Sequence, residues 1–280
     1  MIYDCAIIGA GPAGIISAIH LTRSGFTVAL FEKKNVGGLL RNAYRIDNYL
    51  GLPGASGKEL IALFEKQLSS FGIKPIRAEV SAITRKSTFD IQTNDTCHHA
   101  HSVIIATGTT HKKLNVPGED KCCGQRLFYE PADLPSMSHK DIVIVGGGDA
   151  AFDYALSLHR MGNNPSILMR SNPTCLNVLL NAVREKRIPY VEHSAPLRFY
   201  EDCGKIAVES IHKTFKADFV LVAVGRAAVH PRLELEDANG LFFSGDVKNG
   251  AHRQVHIATG DGLHTAMSVQ EYLEHARHTH

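Results

Sequence analysis

The sequence lacks the features that mark several broad classes of protein. Its formal net charge is only +2 at pH 7, too small for the basic field that a nucleic-acid-binding protein usually carries. No apolar run approaches the roughly 18 residues of a membrane-spanning helix. The first apolar strand pattern begins at residue 2, which leaves no room for a signal peptide ahead of it. We therefore expect a cytoplasmic protein that binds neither nucleic acid nor a membrane.

Cysteine is present but never in the paired CxxC spacing. The six cysteines, at positions 5, 97, 122, 123, 175 and 203 of a 280-residue chain, fit neither a disulfide-stapled secreted domain nor a zinc ribbon. Cys122 and Cys123 are adjacent, and a disulfide between neighbours closes a small, strained ring. The sequence favours ordinary thiols at these two positions, with a redox-active pair as the weaker alternative.

Histidines surround one of the cysteines. Residues 97–101 read Cys-His-His-Ala-His and lie between the apolar residues Ile91 and Val103. Such a cluster could bind a metal ion, but successive side chains of a strand point to opposite faces of the sheet. We therefore favour a solvated hairpin edge over a metal site, and predict no metal in this protein.

Length and composition indicate a two-domain globular protein. The chain exceeds the roughly 100–150 residues of a common single domain. Its 44% hydrophobic and 21% charged residues are ordinary values, sufficient for a sizeable core.

The first glycine-rich turn predicts a dinucleotide site. A short apolar run at 2–8 leads into Gly-Ala-Gly-Pro-Ala-Gly at 9–14 and then into an apolar helical pattern. In this motif Gly9 permits the tight turn, Gly11 lets the backbone approach a pyrophosphate, and Gly14 allows close helix–strand packing. A second strand at 26–31 ends at Glu32, where a ribose hydroxyl needs a carboxylate acceptor. A glycine turn with only a structural role is the alternative.

Between this motif and residue 110 the pattern predicts a loop, a helix and a buried strand. Residues 36–60 contain five glycines, and a loop of this length is often functional. The run at 103–108 ends in Ala-Thr-Gly, small residues that can approach a cofactor. The intervening helix is predicted to place on one face Leu60, Leu63, Phe64, Leu68 and Phe71.

A second glycine-rich turn follows a strand at 141–145. The residues at 146–151 read Gly-Gly-Gly-Asp-Ala-Ala, and a helix from about Ala151 to Met161 and a strand at 166–169 come next. Arg170 stands after that strand, where an NADH site usually offers a carboxylate. A cation there favours the 2′-phosphate of NADPH, with NADH as the remaining possibility.

Three further segments close the pattern. A buried strand at 219–224 leads to Gly225 and Arg226, a strand at 240–244 leads to Gly245 and Asp246, and Arg-Gln-Val at 253–255 precedes a last helix. Taken in order, these motifs are similar to those of the low-molecular-weight thioredoxin reductase-like flavoproteins, and the resemblance covers nearly the whole chain.

The resemblance implies an α/β fold with two Rossmann-like dinucleotide-binding domains of the three-layer ββα type. It assigns residues 1–113 and 236–280 to a discontinuous FAD-binding domain and residues 114–235 to an inserted NAD(P)H-binding domain. It also implies a homodimer.

The same resemblance implies the residues that bind each cofactor. The pyrophosphate turn, the ribose carboxylate, the adenine contact, the ribityl carboxylate and the isoalloxazine segment of the FAD site are Gly9, Gly11, Pro12, Ala13, Gly14, Glu32, Lys33, Gly38, Leu39, Asn48, Val80, Thr107, Gly108, Gly245, Asp246, Arg253, Gln254 and Val255. The nicotinamide nucleotide site comprises Gly146, Gly148, Asp149, Ala150, Ala151 and Arg170.

One departure from the family bears directly on activity. Thioredoxin reductases carry a redox-active CxxC after an aromatic residue, just before the second glycine turn. Here Tyr129 holds the aromatic position, and Glu-Pro-Ala-Asp follows at 130–133. Carboxylates cannot replace the thiolate nucleophile and the leaving sulfur of disulfide exchange. For Tyr129 we favour a packing role over a contact with the flavin or the nicotinamide.

The sequence therefore predicts an NAD(P)H-dependent FAD oxidoreductase in which the flavin carries the chemistry and no side chain is catalytic. The predicted acceptor is an external one-electron protein such as ferredoxin, flavodoxin or an iron–sulfur biosynthetic enzyme. The nearest functional analogy is to the thioredoxin reductase-like ferredoxin–NADP reductases. The alternatives are a direct reductase of a small disulfide or quinone, and a non-catalytic FAD-binding regulatory subunit.

Overall fold

The computed structural model describes residues 1–278 and divides into two compact units. The first unit comprises Met1–Thr110 together with the chain from Ala227 onward, and the second is His111–Arg226. The predicted domain boundaries, after residues 113 and 235, stay predictions. Within the described part of the chain, no helix is both long and apolar enough to cross a membrane.

Helices and strands alternate through both units. The helices are α1 (Pro12–Arg23), α2 (Gly57–Ser70), α3 (Glu119–Cys122), α4 (Asp149–Arg160), α5 (Asn177–Glu185) and α6 (Val255–His278). The strands are β1 (Ile2–Ile8), β2 (Val28–Glu32), β3 (Ile76–Arg77), β4 (Val80–Arg85), β5 (Phe89–Thr93), β6 (Cys97–Ile105), β7 (Thr109–His111), β8 (Leu127–Phe128), β9 (Asp141–Val145), β10 (Asn164–Leu168), β11 (Tyr190–Val191), β12 (Pro196–Asp202), β13 (Lys205–Ser210), β14 (Thr214–Ala217), β15 (Phe219–Val222), β16 (Arg226–Ala228), β17 (Arg232–Glu234) and β18 (Leu241–Phe243). Short 3₁₀ turns cover Gly38–Asn42, Pro131–Asp133 and Gly245–Val247.

The first unit is built on a parallel sheet that contains β3, β2, β1, β6 and β18 in that order. Strand β6 has two partners along one edge. Its first half pairs antiparallel with β5, and its second half pairs parallel with β18. Strands β5, β4 and β17 continue from the first half. The carboxyl ends of β1, β2, β6 and β18 therefore meet at one edge, where ligands bind in open α/β sheets.

Two apolar layers cover the faces of this sheet. On one face, Ile7 and Ile104 pack in the same cluster as residues of α1 and α6. On the other face, Ile8, Phe31 and Ile105 pack with Ile83, Phe89 and Ile91 of β4 and β5. The strand residues are buried on both faces, which explains why the sequence reads as continuous apolar runs.

Small residues bring α1 and α6 into close contact. A Cβ atom at Gly262 would lie 2.4 Å from the carbonyl oxygen of Ala13. The Ser17 hydroxyl donates to the carbonyl oxygen of Gly262 at 2.8 Å. Any larger side chain at position 262 would force the two helices apart.

The second unit repeats the layered plan. Its parallel sheet has the order β11, β10, β9, β15, β8. Residues of α4 and α5, including Phe152 and Val183, pack with Ile144 and Ile167 on one face. The antiparallel strands β12, β13 and β14 cover the other face with Phe199, Ile206 and Val208.

The helix predicted to follow the loop at 36–60 is present as α2, which begins at Gly57 within the predicted loop, and its apolar face is narrower than predicted. Leu60 and Leu68 are buried, and Phe64 and Phe71 are partly buried. Leu63 is exposed, with 47% of its surface accessible. Position 63 lies at the margin of the apolar stripe, where the 3.6-residue period does not decide burial.

Candidate functional site

The two outer positions of the first turn must be glycine for the chain to pack, whether or not a cofactor is bound. Gly9 has φ 108°, and a Cβ atom there would lie 2.4 Å from the carbonyl oxygen of Ala106. A Cβ atom at Gly14 would lie 1.9 Å from the carbonyl oxygen of Gly9. Neither position accepts a side chain, so the strand end, the turn and α1 stay in close contact.

The middle glycine is different, because it faces open space. A Cβ atom at Gly11 would meet no heavy atom of residues 1–278 within 4 Å, apart from its chain neighbours. Gly11 is the N-cap of α1, and no described side chain caps that first turn. No acidic residue lies in the turn either. Free N–H groups at a helix N-terminus, beside a position without a side chain, fit the pyrophosphate of a dinucleotide.

Glu32 lies beside this turn and holds its backbone in place through hydrogen bonds. One oxygen of its carboxylate accepts from the backbone N–H of Ala10 at 2.9 Å, and the other accepts from the backbone N–H of Lys34 at 2.8 Å. Each carboxylate oxygen can accept a further hydrogen bond. The predicted ribose acceptor is thus held in place by the backbone and keeps the capacity to bind a hydroxyl.

An open groove of about 450 Å³ begins at Lys33 and Lys34, the two residues that follow Glu32. Lys33 forms an ion pair with Glu79 across it, at 3.2 Å. Val80, the predicted adenine contact, follows directly as the buried first residue of β4. The groove is lined by Lys33, Lys34, Arg77, Ala78, Glu79, Asn94 and Asp95.

The loop after β2 returns to the glycine turn. The backbone N–H of Gly37 donates to the carbonyl oxygen of Ala10 at 2.8 Å. A Cβ atom at Gly38 would lie 3.5 Å from the Cα atom of Gly11. The structure therefore brings Gly38, and the partly buried Leu39 next to it, to the predicted pyrophosphate position.

The Ala-Thr-Gly segment ends β6 at the same edge. The Thr107 hydroxyl donates to the carbonyl oxygen of Val229, and the backbone N–H of Val229 donates to the carbonyl oxygen of Gly108 at 3.3 Å. These bonds fix the turn whose Ala106 carbonyl lies against Gly9.

Asp261 is a positioning residue that the sequence analysis missed. Its carboxylate accepts from the backbone N–H of Gly245 at 2.6 Å and pairs with Lys248 at 3.1 Å. The 3₁₀ turn that carries Asp246 is thereby tied to α6. The sequence did not indicate this role for Asp261, because its partners Gly245 and Lys248 lie on a different segment of the chain.

The loop at 44–50 contacts the start of α6. The Asn48 amide donates to the Gln254 side-chain oxygen at 3.2 Å, and the backbone N–H of Leu50 donates to Nε2 of His256 at 2.6 Å. The rings of Tyr49 and His256 are stacked, with centroids 4.5 Å apart. Sequence reasoning identified Asn48 and Gln254 but not this pair of rings.

The remaining predicted residues of the segment lie nearby. Arg253 is partly buried, and Val255 packs against the cluster of Leu40, Ile46 and Leu60. Of the predicted FAD residues, Gly9, Gly11, Glu32 and Gly38 therefore lie together at the carboxyl edge of the first unit's sheet.

In the second glycine turn, as in the first, the outer positions pack against the protein and the middle glycine faces open space. Gly146 has φ 154°, and a Cβ atom there would lie 2.4 Å from the carbonyl oxygen of Ala223. Ala151 is fully buried at the helix–strand contact. A Cβ atom at Gly148 would lie 3.9 Å from Oγ1 of Thr174, its nearest neighbour. Gly148 and the exposed Ala150 thus leave room for a nucleotide at the start of α4.

The loop that follows β10 folds back against this turn. The backbone N–H of Thr174 donates to the carbonyl oxygen of Gly147 at 2.8 Å. The Asp149 carboxylate accepts from the backbone N–H of Leu176 at 2.8 Å. Asp149 therefore fastens the loop, and Arg170 stands exposed at its beginning.

A largely buried ion pair contains Glu130, the position to which the family resemblance assigns the first thiol of the thioredoxin reductase dithiol. The Arg226 guanidinium donates to the Glu130 carboxylate. The side chains are only 8% exposed at Glu130 and 20% exposed at Arg226. This position holds a paired carboxylate that has no redox chemistry of its own.

Tyr129, next to this pair, is a packing residue of the second unit. Its hydroxyl donates to the buried Glu119 carboxylate at 2.9 Å, and its ring stacks on His111 with centroids 3.6 Å apart. Burial, together with the hydrogen bond to the Glu119 carboxylate, raises the pKa of Tyr129 far above its ordinary value. Glu119 also accepts from the backbone N–H groups of Leu114 and Asn115.

The adjacent cysteines are free thiols. Burial, and to a smaller extent the Glu201 carboxylate, raises the pKa of Cys122. A raised pKa reduces the thiolate fraction, which opposes nucleophilic reactivity. The surroundings of Cys122 agree with the interpretation of an ordinary thiol.

Comparison with known proteins places this architecture in a family. Residues 3–262 match the family model described as pyridine nucleotide-disulphide oxidoreductase. The thioredoxin reductase of Bacillus subtilis (strain 168) is 27% identical over 307 aligned positions, which cover 99% of this chain and 97% of the relative.

Two solved structures extend the comparison. The thioredoxin reductase of Lactococcus lactis (FR conformation) superimposes with a TM-score of 0.89 at 25% identity, and 98% of this chain and 99% of that chain are covered. A ferredoxin-flavin thioredoxin reductase from Clostridium acetobutylicum matches with a TM-score of 0.55 at 25% identity, over 99% of both chains.

These matches confirm the predicted fold class, the resemblance to thioredoxin reductase-like proteins and the prediction of an enzyme. That family uses FAD and NADPH. The N-terminus of α1 at Gly11, which no described side chain caps, fits the pyrophosphate of FAD. The individual contact residues stay predictions. The chain belongs to the pyridine nucleotide-disulphide oxidoreductase family and is an FAD-dependent oxidoreductase of the thioredoxin reductase-like type.

Proposed function

We propose that this protein transfers electrons from NADPH through FAD to an external one-electron protein acceptor such as ferredoxin, flavodoxin or an iron–sulfur biosynthetic enzyme. The observation that carries the proposal is the buried Glu130–Arg226 pair at the place of the family's first thiol. Without a thiol there, the protein has no dithiol relay between the flavin and a disulfide substrate.

The proposed roles of the two units follow from their glycine turns. The first unit would hold FAD through the free N–H groups at the start of α1, the Glu32 carboxylate and the Gly245–Val247 turn. The second unit would hold NADPH at the start of α4. Bound FAD supplies the chemistry, because a flavin accepts a hydride and can release electrons singly. The protein's part is to bind, orient and shield.

One relative supports electron exchange between this fold and a one-electron protein. The similar protein from Clostridium acetobutylicum is named a ferredoxin-flavin thioredoxin reductase. Its name joins ferredoxin to a flavin and gives thioredoxin as the protein reduced, so it supports a ferredoxin contact and not a direction of electron flow. The alternatives are direct reduction of a small disulfide or quinone, and a non-catalytic FAD-binding subunit. The second glycine turn, with its uncapped helix start, opposes the last of these, because a passive FAD carrier needs no second nucleotide site.

An acceptor assay tests the proposal. The purified holoprotein, supplied with NADPH under anaerobic conditions, is expected to reduce ferricyanide, and cytochrome c through added ferredoxin. Reduction of thioredoxin or of an aromatic disulfide is expected to stay at the rate without protein. Rates are followed by absorbance for each acceptor, with menadione included to represent the quinones.

The matched control is a Cys122→Ser, Cys123→Ser double variant. It should reduce the one-electron acceptors as fast as the parent, because the electrons leave directly from the flavin. If the parent reduces disulfides and the double variant does not, Cys122 and Cys123 form a relocated redox pair and the proposal is wrong. A flavin that NADPH does not bleach would instead favour the non-catalytic alternative.

Arg170 is expected to determine the preference for NADPH. Arg170→Ala should raise the NADPH concentration needed for half-maximal bleaching of the flavin about tenfold, because a hydrogen bond to a charged group contributes about 1.5 kcal/mol. The corresponding NADH concentration should not change. The measurement is anaerobic bleaching of the flavin against the concentration of each nucleotide. Lys186→Ala, which removes an exposed cation elsewhere in the unit, is the control. An unchanged ratio in Arg170→Ala would show that Arg170 does not contact the 2′-phosphate.

The site of action and the assembly are also part of the proposal. We propose a cytoplasmic location and a homodimer, and the homodimer rests on the family resemblance alone.

A further inference from the structure

The hairpin of β5 and β6 brings three metal-binding side chains together, away from both glycine turns. Residue pairing places Asp90 opposite His99 and Gln92 opposite Cys97. Cys97 and His99 are two positions apart on β6, so they share a face of the sheet. Because directly opposite residues of an antiparallel pair share a face, Asp90 lies on that face as well.

Distances confirm that these side chains converge. Oδ1 of Asp90 lies 2.7 Å from Nδ1 of His99. One carboxylate oxygen of Asp90, the Cys97 sulfur and one ring nitrogen of His99 all lie within 4.8 Å of one another. The Asp90 and His99 side chains are 24% and 45% exposed, so an ion can reach them from solvent.

Strand alternation along β6 does not by itself describe this cluster. It does separate His98, whose ring packs edge-on against Phe31 at 5.0 Å on the other face. It leaves Cys97 and His99 together, however, and the cross-strand register adds a carboxylate that lies seven residues before Cys97 (97 − 90). The sequence-based expectation of a solvated hairpin edge considered only one of the two strands, and it stays a prediction.

We propose that Asp90, Cys97 and His99 bind one Zn²⁺ ion, with water as the fourth ligand. Thiolate, imidazole and carboxylate are the three protein ligands that zinc prefers, and three such ligands leave one position open in a tetrahedral site. On binding, the Cys97 thiol loses its proton to solvent and the zinc–sulfur bond forms. Zinc binding also breaks the hydrogen bond between Asp90 and His99, and a hydrogen carried by Nδ1 of His99 is released to solvent.

The required movement is small. Zinc–ligand bonds of about 2.0–2.3 Å at tetrahedral angles set ligand atoms roughly 3.3–3.6 Å apart. The distances between the ligand atoms of Asp90, Cys97 and His99 run from 2.7 Å to at most 4.8 Å. Side-chain rotations that move these atoms by about 1 Å therefore complete the site. The backbone beneath is already held, because Thr93 and Thr96 join the two strands through hydrogen bonds at the hairpin turn.

The donor set decides which metal the site would take. Hard cations such as Mg²⁺ prefer oxygen ligands. Zn²⁺ binds a set that combines thiolate, imidazole and carboxylate. We therefore expect Zn²⁺, and Co²⁺ as its spectroscopic substitute, to bind at this hairpin.

The test uses the full-length holoprotein, stripped of metal and kept reduced. Zn²⁺ is titrated against a chromophoric chelator, and Co²⁺ binding is followed by the visible bands of tetrahedral cobalt, which lie at longer wavelength than the flavin absorbance. The expected result is one strong site per chain. The variants Cys97→Ser and His99→Ala are expected to bind Zn²⁺ at least about tenfold more weakly, the cost that even outer-shell changes often carry.

Two matched controls exclude binding elsewhere. Cys203→Ser removes another exposed cysteine, and His101→Ala removes the next histidine on the same face of β6. Both should bind zinc as the parent does. The flavin absorbance of every variant reports that the first unit is folded, and it does not depend on the identity of the acceptor.

Equal zinc affinity in the parent, Cys97→Ser and His99→Ala would overturn the proposal, as would a parent with no site stronger than the chelator background. Loss of binding in Cys203→Ser instead of Cys97→Ser would place the zinc elsewhere and equally refute it.

Discussion

Gly11→Val is expected to give a folded protein that no longer retains FAD. A Cβ atom at position 11 meets no heavy atom of the described chain within 4 Å, so the protein itself accepts the side chain. The backbone at Gly11 is extended, with φ −76° and ψ 179°, which suits a β-branched residue. The valine side chain would instead fill the space that the pyrophosphate needs. The measurement is the ratio of flavin to protein absorbance after purification, with circular dichroism to report folding.

Gly14→Val is the matched comparison in the same turn. There a Cβ atom would lie 1.9 Å from the carbonyl oxygen of Gly9, so this variant should lose both FAD and the fold of the first unit. A Gly11→Val protein that keeps full FAD occupancy would remove the first glycine turn from the cofactor site.

Glu130→Ala should destabilise the second unit by about 3 kcal/mol, because it leaves the Arg226 charge largely buried without its carboxylate. Only 20% of the Arg226 side chain is exposed, so water can replace little of the lost interaction. The double variant Glu130→Leu, Arg226→Met should recover most of this stability, since apolar replacement of a buried pair is often close to neutral. Urea denaturation followed by circular dichroism measures both effects.

An exposed ion pair in the same unit is the control. Arg126 and Glu201 lie 3.9 Å apart, and the Glu201 side chain is 70% exposed. Glu201→Ala should therefore change the free energy of unfolding by less than about 1 kcal/mol. If Glu130→Ala proves equally mild, the Glu130–Arg226 pair is not buried in solution, and the description of position 130 as a buried, paired carboxylate is wrong.

The features that sequence reasoning predicted are local ones. A strand, a glycine turn and a helix within about thirty residues leave a continuous pattern, and both glycine turns lie where the sequence places them. The missed features depend on residues that are far apart in the chain. Glu130 and Arg226 are 96 positions apart, and Asp261 binds a turn 16 positions earlier. Nothing in the spacing of single residues shows such pairs before the fold is known.

Register is the second kind of information that a single sequence hides. The alternation along β6 was correctly inferred for His98, yet the position of Asp90 opposite His99 depends on the hairpin pairing. A shift of one residue in that pairing would place Asp90 on the other face. Leu63 shows the same limit in a helix, because the apolar period does not show where the buried stripe ends.

The interruption of the first unit by the second has a consequence for how the chain is made. Strand β18 pairs with β6, and α6 packs on α1 through Ala13, Ser17 and Gly262. Because synthesis proceeds from the N-terminus and domains fold as units, the continuous unit at 111–226 can fold while the first unit still lacks its last strand and helix. We expect the newly synthesised chain to carry the uncovered apolar surface of α1 until α6 leaves the ribosome. Cofactor loading is then a late event, and the nascent chain is the form most exposed to chaperones and proteases.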